Sequence, residues 1–108
     1  MRIETSSLQE ITVIDGFHAR FIHTDSLTLG YWKVDKGSKL PPHNHVHEQI
    51  TQVEKGEFEM TINGETRVYS KGKVAVIPSG AIHSGIALTD CELVDIFCPV
   101  REDYKSLL

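Results

Sequence analysis

The chain is short of positive charge. Its 11 Lys and Arg are outnumbered by 15 Asp and Glu, for a formal net charge of −4 at pH 7, and no basic stripe gathers along it. Nothing is therefore available to hold a phosphate backbone, which excludes a nucleic-acid partner. Long apolar runs are also missing, so no segment reaches the ~20 residues a membrane-spanning helix needs. The opening MRIETSSLQE lacks the apolar stretch of a signal peptide, and the expectation is a cytoplasmic protein away from the membrane. Cysteine is scarce. Cys91 and Cys98 are separated by an odd number of residues, which puts them on opposite faces of a continuous strand and argues against a disulfide. They do not form the CxxC pair of a zinc site and read as free thiols, Cys98 half-buried. Repeats, low-complexity tracts and linkers are absent, so residues 1–108 read as one domain. A domain of this size buries a modest share of its surface, and a homodimer is the default expectation.

What the chain does have is a succession of short β-type segments. Ile11–Ile14, Ala19–His23, Leu27–Val34, His47–Val53, Glu57–Ile62, Thr66–Tyr69, Val74–Ile77, Ser84–Leu88 and Glu92–Phe97 carry β-branched or aromatic residues. Gly37, Pro41, Pro42, Gly56, Gly64, Gly72, Pro78 and Gly80 separate them. Helical character is confined to the tail, Arg101–Leu108. Many short strands at close spacing predict an all-β sandwich or barrel. One hairpin can be read in detail. Phe58, Met60 and Ile62 alternate with polar residues and face the core. A three-residue turn with Gly64 in a bulge pairs Ile62 with Thr66 and Met60 with Val68. That register keeps the core apolar, whereas a two-residue Asn63-Gly64 turn would put Arg67 inside.

The chemistry is concentrated in PPHNHVHEQ. His43, His45, His47 and Gln49 share parity, so an extended strand aims all four at one face. Imidazoles are poor packing material for a barrel interior but suit a borderline divalent metal. Glu48 has the better ligand chemistry and the wrong parity. Gln49, which can coordinate through its amide oxygen, ranks first, with His47 and Glu48 in reserve. In GKVAVIPSGAIHS, Val74–Ile77 reads as a strand, residues 78–81 as a turn, and His83 opens the next strand as the natural fourth ligand.

These two fragments together resemble the cupin superfamily. Its first motif, G(x)5HxH(x)3-4E(x)6G, is met by Gly37, His43, His45, position 49 and Gly56. Its second, G(x)5PxG(x)2H(x)3N, is met by Gly72, Pro78, Gly80 and His83. Gln49 stands where the family usually has glutamate, and Ala87 replaces the terminal asparagine. The resemblance implies a jelly-roll-like double-stranded β-helix holding one divalent ion on His43, His45, Gln49 and His83. His and amide donors accommodate Ni, Fe, Mn, Zn or Co. With an amide in place of a carboxylate, the ion's double positive charge is uncompensated, which favours an anionic substrate.

In Leu93-Val94-Asp95-Ile96-Phe97 both faces are mainly apolar, so Asp95 is expected to be buried and its pKa raised. Arg101 is either its ion-pair partner or a substrate clamp. Here the chain looks like the pectin-degradation branch of small cupins, through HxHxHEQ at 43–49 and DxFxPxRED at 95–103. Proteins of that branch convert unsaturated uronates, released by polysaccharide lyases, into linear keto acids. By position, the resemblance makes Asp95 and Arg101 catalytic and places Phe97 and Arg101 against a small sugar acid. Two rivals remain: a metal-dependent dioxygenase of a small organic substrate, and a non-catalytic module binding a sugar acid or another small anion.

Overall fold

Strand follows strand through nearly the whole of the computed structural model, which describes residues 1–107. After a 3-10 turn at Thr5–Ser7 come β1 (Ile11–Ile14), β2 (Phe17–His23), β3 (Thr28–Val34), β4 (Lys39–His43) and β5 (Glu48–Lys55). They are followed by β6 (Phe58–Ile62), β7 (Glu65–Tyr69), β8 (Val74–Ile77), β9 (His83–Ala87) and β10 (Cys91–Cys98). A single helical turn, α1 (Glu102–Lys105), closes the tail; the expected helix ran on to Leu108, which lies outside the described residues. The strands form two antiparallel sheets, β1-β2-β3-β10-β5-β8 and β4-β9-β6-β7. Their inner faces enclose the core, as the all-β, jelly-roll-like barrel reading requires.

Alternation dictates which side chains enter that core. β10 buries Cys91, Leu93, Asp95 and Phe97 and turns the residues between them outward. β5 likewise buries Gln49, Thr51 and Val53. The aromatic heart is edge-to-face: Phe17 meets Trp32 at 6.3 Å and Phe58 at 6.4 Å, with interplanar angles of 81° and 89°. Gly85 makes this possible, because a Cβ there would run into the Phe58 ring.

Four expectations are corrected. β4 was not anticipated, because Pro41 and Pro42 read as punctuation. It is an edge strand bonded to β9 alone, and the pairing skips from Leu40 to His43, so the missing N–H groups leave no ladder gap. The β6–β7 hairpin uses the two-residue turn, with Asn63 and Gly64 at φ of 48° and 82°, which pairs Ile62 with Glu65 and Met60 with Arg67. Arg67 is not thereby buried. β7 is the edge of its sheet, all of Glu65–Val68 is exposed, and the Arg67 side chain meets Glu65 at 2.6 Å. Of the cysteines, both free, Cys91 is the buried one and Cys98 is exposed, since β10 ends as it leaves the core. Lastly, His43 to Gln49 is not one strand: residues 44–47 bend between β4 of one sheet and β5 of the other.

Candidate metal centre

That bend brings the donors together. His43 and His83 are cross-strand partners on β4 and β9, with ring centroids 4.1 Å apart. His45 reaches in from the connecting segment, 5.0 Å from His83 and 5.7 Å from His43. One nitrogen from each of the three rings can be chosen such that all lie within 4.8 Å of one another. The segment is clipped to the 78–81 turn by the Gly80 N–H donating to His45 O at 2.8 Å and the Ser79 hydroxyl donating to Val46 O at 2.6 Å. Motif residues far apart in sequence therefore hold one another in place.

Backbone carbonyls set the tautomers. Nδ1 of His43 donates to Pro41 O at 2.8 Å, Nδ1 of His45 to His47 O at 3.0 Å, and Nδ1 of His83 to Ala81 O at 2.9 Å. A carbonyl only accepts, so each Nδ1 carries the proton and each neutral ring leaves Nε2 as a bare lone pair. Burial lowers the pKa of His45, helped by the Arg101 charge, and pulls His83 down to about 4. Both are neutral at pH 7, the form that binds metals.

Two features fit a cation. The Nε2 of His83 is buried without a hydrogen-bond partner. The Nε2 of His45 sits 3.1 Å from Oε1 of Gln49, two acceptors facing each other with no hydrogen between them. A positive ion bound by both relieves the repulsion; burial without one leaves it standing. His47, half-buried, packs 5.3 Å from His45 but is outside the triad, and Glu48 is exposed. Neither reserve joins the cluster.

Beside the donors lies a cavity of about 130 Å³, far above the ~10–15 Å³ one water needs. His43 and Gln49 line it. Thr51, Asp95, Phe97 and Arg101 line it too, and Val13, Leu40, Met60 and Leu93 make much of the wall apolar. Strand register explains the polar row: on β5 and β10, Gln49 faces Phe97 and Thr51 faces Asp95. The Thr51 hydroxyl donates to Asp95 Oδ1 at 2.5 Å and accepts from Gln49 Nε2 at 3.0 Å. Burial pushes the Asp95 carboxyl up to about 6, against the opposing pull of Thr51, Gln49 and the Arg101 charge. On β3, Gly30 is the residue opposite Asp95, where a Cβ would stand 2.9 Å from the buried Nε1 of Trp32.

Arg101 enters the cavity but is not bonded to Asp95. Its Nε and Nη2 are gripped by Asp103 at 2.9 and 2.7 Å, and the guanidinium lies 3.8 Å from the Tyr104 ring centroid and 4.7 Å from that of Phe97. Of the two expectations for Arg101, the ion pair with Asp95 is not formed; the pair is made with Asp103, because α1 turns that carboxylate back over Arg101 while Asp95 stays inside the barrel. Sequence reasoning missed Thr51, Trp32, Gly30 and Tyr104 as parts of the site. Parity with Gln49 was a signal for Thr51; the other three carried none.

The Cupin domain profile matches residues 30–97, and the chain belongs to that family. It is 32% identical over 93 residues to the pectin degradation protein KdgF of Dickeya dadantii, covering 83% of this chain and 84% of that protein. Its fold superposes on the structure of KdgF from Halomonas sp. with a TM-score of 0.88 at 33% identity, over 94% of this chain and 96% of that one. An RmlC-like cupin from Shewanella frigidimarina gives a TM-score of 0.90 at 25% identity, over 94% and 93%. No helix among the described residues is long and apolar enough to cross a membrane.

Proposed function

We propose that this protein is a metal-dependent isomerase that converts an unsaturated uronate into its linear keto acid. The observation that carries the reading is a cavity lined by His43 of the histidine cluster, by Gln49, by a buried, protonatable carboxyl and by an arginine. The likeness to pectin degradation proteins supplies the substrate class. His43, His45, Gln49 and His83 would hold the ion, which when bound supplies a Lewis acid for an oxygen of the anionic substrate.

The reaction is redox-neutral. The ring C–O bond of the hemiacetal breaks to give an aldehyde and an enol. The enol then becomes a ketone by gaining a proton on carbon and losing one from oxygen. Asp95 is the group to move that proton. Its Oδ1 is occupied by Thr51, so Oδ2 carries the hydrogen, and a pKa of about 6 lets it give and retake a proton near neutrality. Arg101, steadied by Asp103, offsets substrate charge, and Phe97 walls the sugar face. The apolar remainder of the lining keeps water from the enol.

The test follows ultraviolet absorbance of unsaturated galacturonate with purified protein, with and without chelator. Metal-dependent acceleration of the loss of the conjugated double bond is expected, and Asp95→Asn should abolish it with metal content intact. Unaccelerated decay with metal bound would remove the isomerase reading, and oxygen uptake or ligand-induced stabilisation without turnover would then identify a dioxygenase or a binding module.

A further inference from the structure

A glutamine amide has two ends of nearly the same shape, and only its oxygen can serve a cation. Before an ion binds, the bare Nε2 of His45 favours the other end, the NH₂, since only that end could donate to it. The choice is made on the far side of the amide, by Thr51. That hydroxyl has a single hydrogen, and the cross-strand neighbour Asp95 claims it through Oδ1 at 2.5 Å. Oδ1 accepts that hydrogen in the ionised carboxylate and equally in the neutral carboxyl that carries its proton on Oδ2. With its hydrogen committed, the Thr51 oxygen can only accept, and the group at 3.0 Å must be the Gln49 NH₂. The donors then run one way, from Gln49 Nε2 to Thr51 Oγ1 to Asp95 Oδ1, leaving Oε1 facing the histidines, 3.1 Å from His45 Nε2.

We propose that Thr51 is a positioning residue for the metal site: its hydroxyl locks the Gln49 amide with the oxygen toward the ion, and this lock is what makes glutamine workable where a glutamate is usual. The inference rests on the reading of His43, His45, Gln49 and His83 as the donors. Its logic reaches the substitution itself. A glutamate at position 49 would present an acceptor to Thr51, and two acceptors would then compete for one hydrogen. Gln49, Thr51 and Asp95 are thus a matched set. Conversely, a carboxylate has no wrong end, so in a Gln49→Glu chain the hydroxyl at 51 has no orientation to lock.

The experiment titrates metal-free protein with Co²⁺, read by its d–d absorption and by competition with a chromophoric chelator. The chains compared are wild type, Thr51→Val, Thr51→Ser, Gln49→Glu and the Gln49→Glu/Thr51→Val double variant. Valine keeps the shape and loses the hydroxyl; serine keeps the hydroxyl and loses the methyl. Thr51→Val should bind Co²⁺ about 10- to 100-fold more weakly, the usual cost of losing an outer partner of a ligand. Thr51→Ser should match wild type, and in the Gln49→Glu background Thr51→Val should cost nothing further. Wild-type affinity in Thr51→Val, or a loss in Thr51→Ser as large as in Thr51→Val, would overturn the proposal while leaving the four donors standing. Failure of wild type to bind Co²⁺ would remove the donor reading and this proposal together. Should the valine variant not fold, Thr51→Ala against Thr51→Ser isolates the same hydroxyl, with the same outcomes.

Discussion

The guanidinium of Arg101 is held by a carboxylate only two residues along the chain, Nε and Nη2 meeting the two oxygens of Asp103 at 2.9 and 2.7 Å. The Arg101 side chain is 8% exposed and its partner's is 59% exposed, so the pair straddles the surface. The arrangement lets a buried cation wait in an apolar cavity without a substrate. Asp103→Ala should lower stability by about 1 kcal/mol, the upper end for an exposed pair, because water screens one partner. The carboxyl of Asp103 is held below its ordinary value of 3.8, chiefly by the Arg101 hydrogen bonds, so this contribution is present above that value and lost as pH falls through the depressed one. Urea midpoints at a constant slope check it.

Metal should stabilise the fold strongly. At a free concentration 100 times its Kd, an ion that binds only the folded chain adds about 2.7 kcal/mol, which for a domain of this size is a rise of roughly 10 °C or more in Tm. Chelator should reverse it. His83→Ala removes a buried donor whose Nε2 has no protein partner and should erase the metal-induced rise. Differential scanning calorimetry with and without Ni²⁺ would decide; a rise that survives in His83→Ala places the ion elsewhere.

Asp95 makes a stability cost depend on pH. Burial raises its pKa from 3.8 to about 6, so the folded chain keeps the proton after the unfolded chain has lost it. Below 3.8 both are protonated and there is no penalty; between 3.8 and about 6 stability drains away; above that the loss is complete, roughly 3 kcal/mol. In chelator, Asp95→Asn should therefore be more stable than wild type at neutral pH, with the advantage vanishing in acid. An advantage that does not change with pH would show that the carboxyl titrates normally.

Thr28 is fully buried and tethers the start of the C-terminal segment: its Oγ1 accepts the Arg101 N–H at 2.8 Å and meets His23 Nδ1 at the same distance. Thr28→Val strands that buried N–H, at a cost of about 1–3 kcal/mol. Amide exchange should accelerate across residues 101–107 while β5 and β10 stay protected. Uniform acceleration would mean that the tether supports the whole barrel rather than the segment over the cavity.

Gly85→Ala should be among the most damaging changes outside the site, since the added methyl meets the Phe58 ring at the centre of the core. A loss of about 1–3 kcal/mol is expected. Pairing it with Phe58→Leu should recover part of that, and a thermal-melt double-mutant cycle measures the coupling.

The sequence made legible whatever depends on alternation. Parity aimed Gln49 inward, and apolar residues on both faces of its segment foretold a buried Asp95, which shares its face with Phe97. His43 and His83 could be nominated from spacing, but their contact depends on β4, whose two prolines disguised it as a loop. The hairpin register failed because burial of Arg67 was assumed to follow from parity, and an edge strand breaks that rule. The partner of Arg101 was beyond reach for another reason. Choosing between Asp95 and Asp103 takes the position of a four-residue helix relative to the barrel mouth, which no local pattern encodes.

His43 and His83 ride on the four-stranded sheet, while Gln49 rides on the six-stranded one. The gap between the sheets is thus also a bond-length constraint, fixed by how Phe17, Phe58 and Met60 fill the space below. A substitution there that spreads the sheets by a few tenths of an ångström would be read at the rim as lost affinity, with every donor intact. The hydrophobic packing works as the caliper of the coordination sphere, and drift in one must be answered by drift in the other.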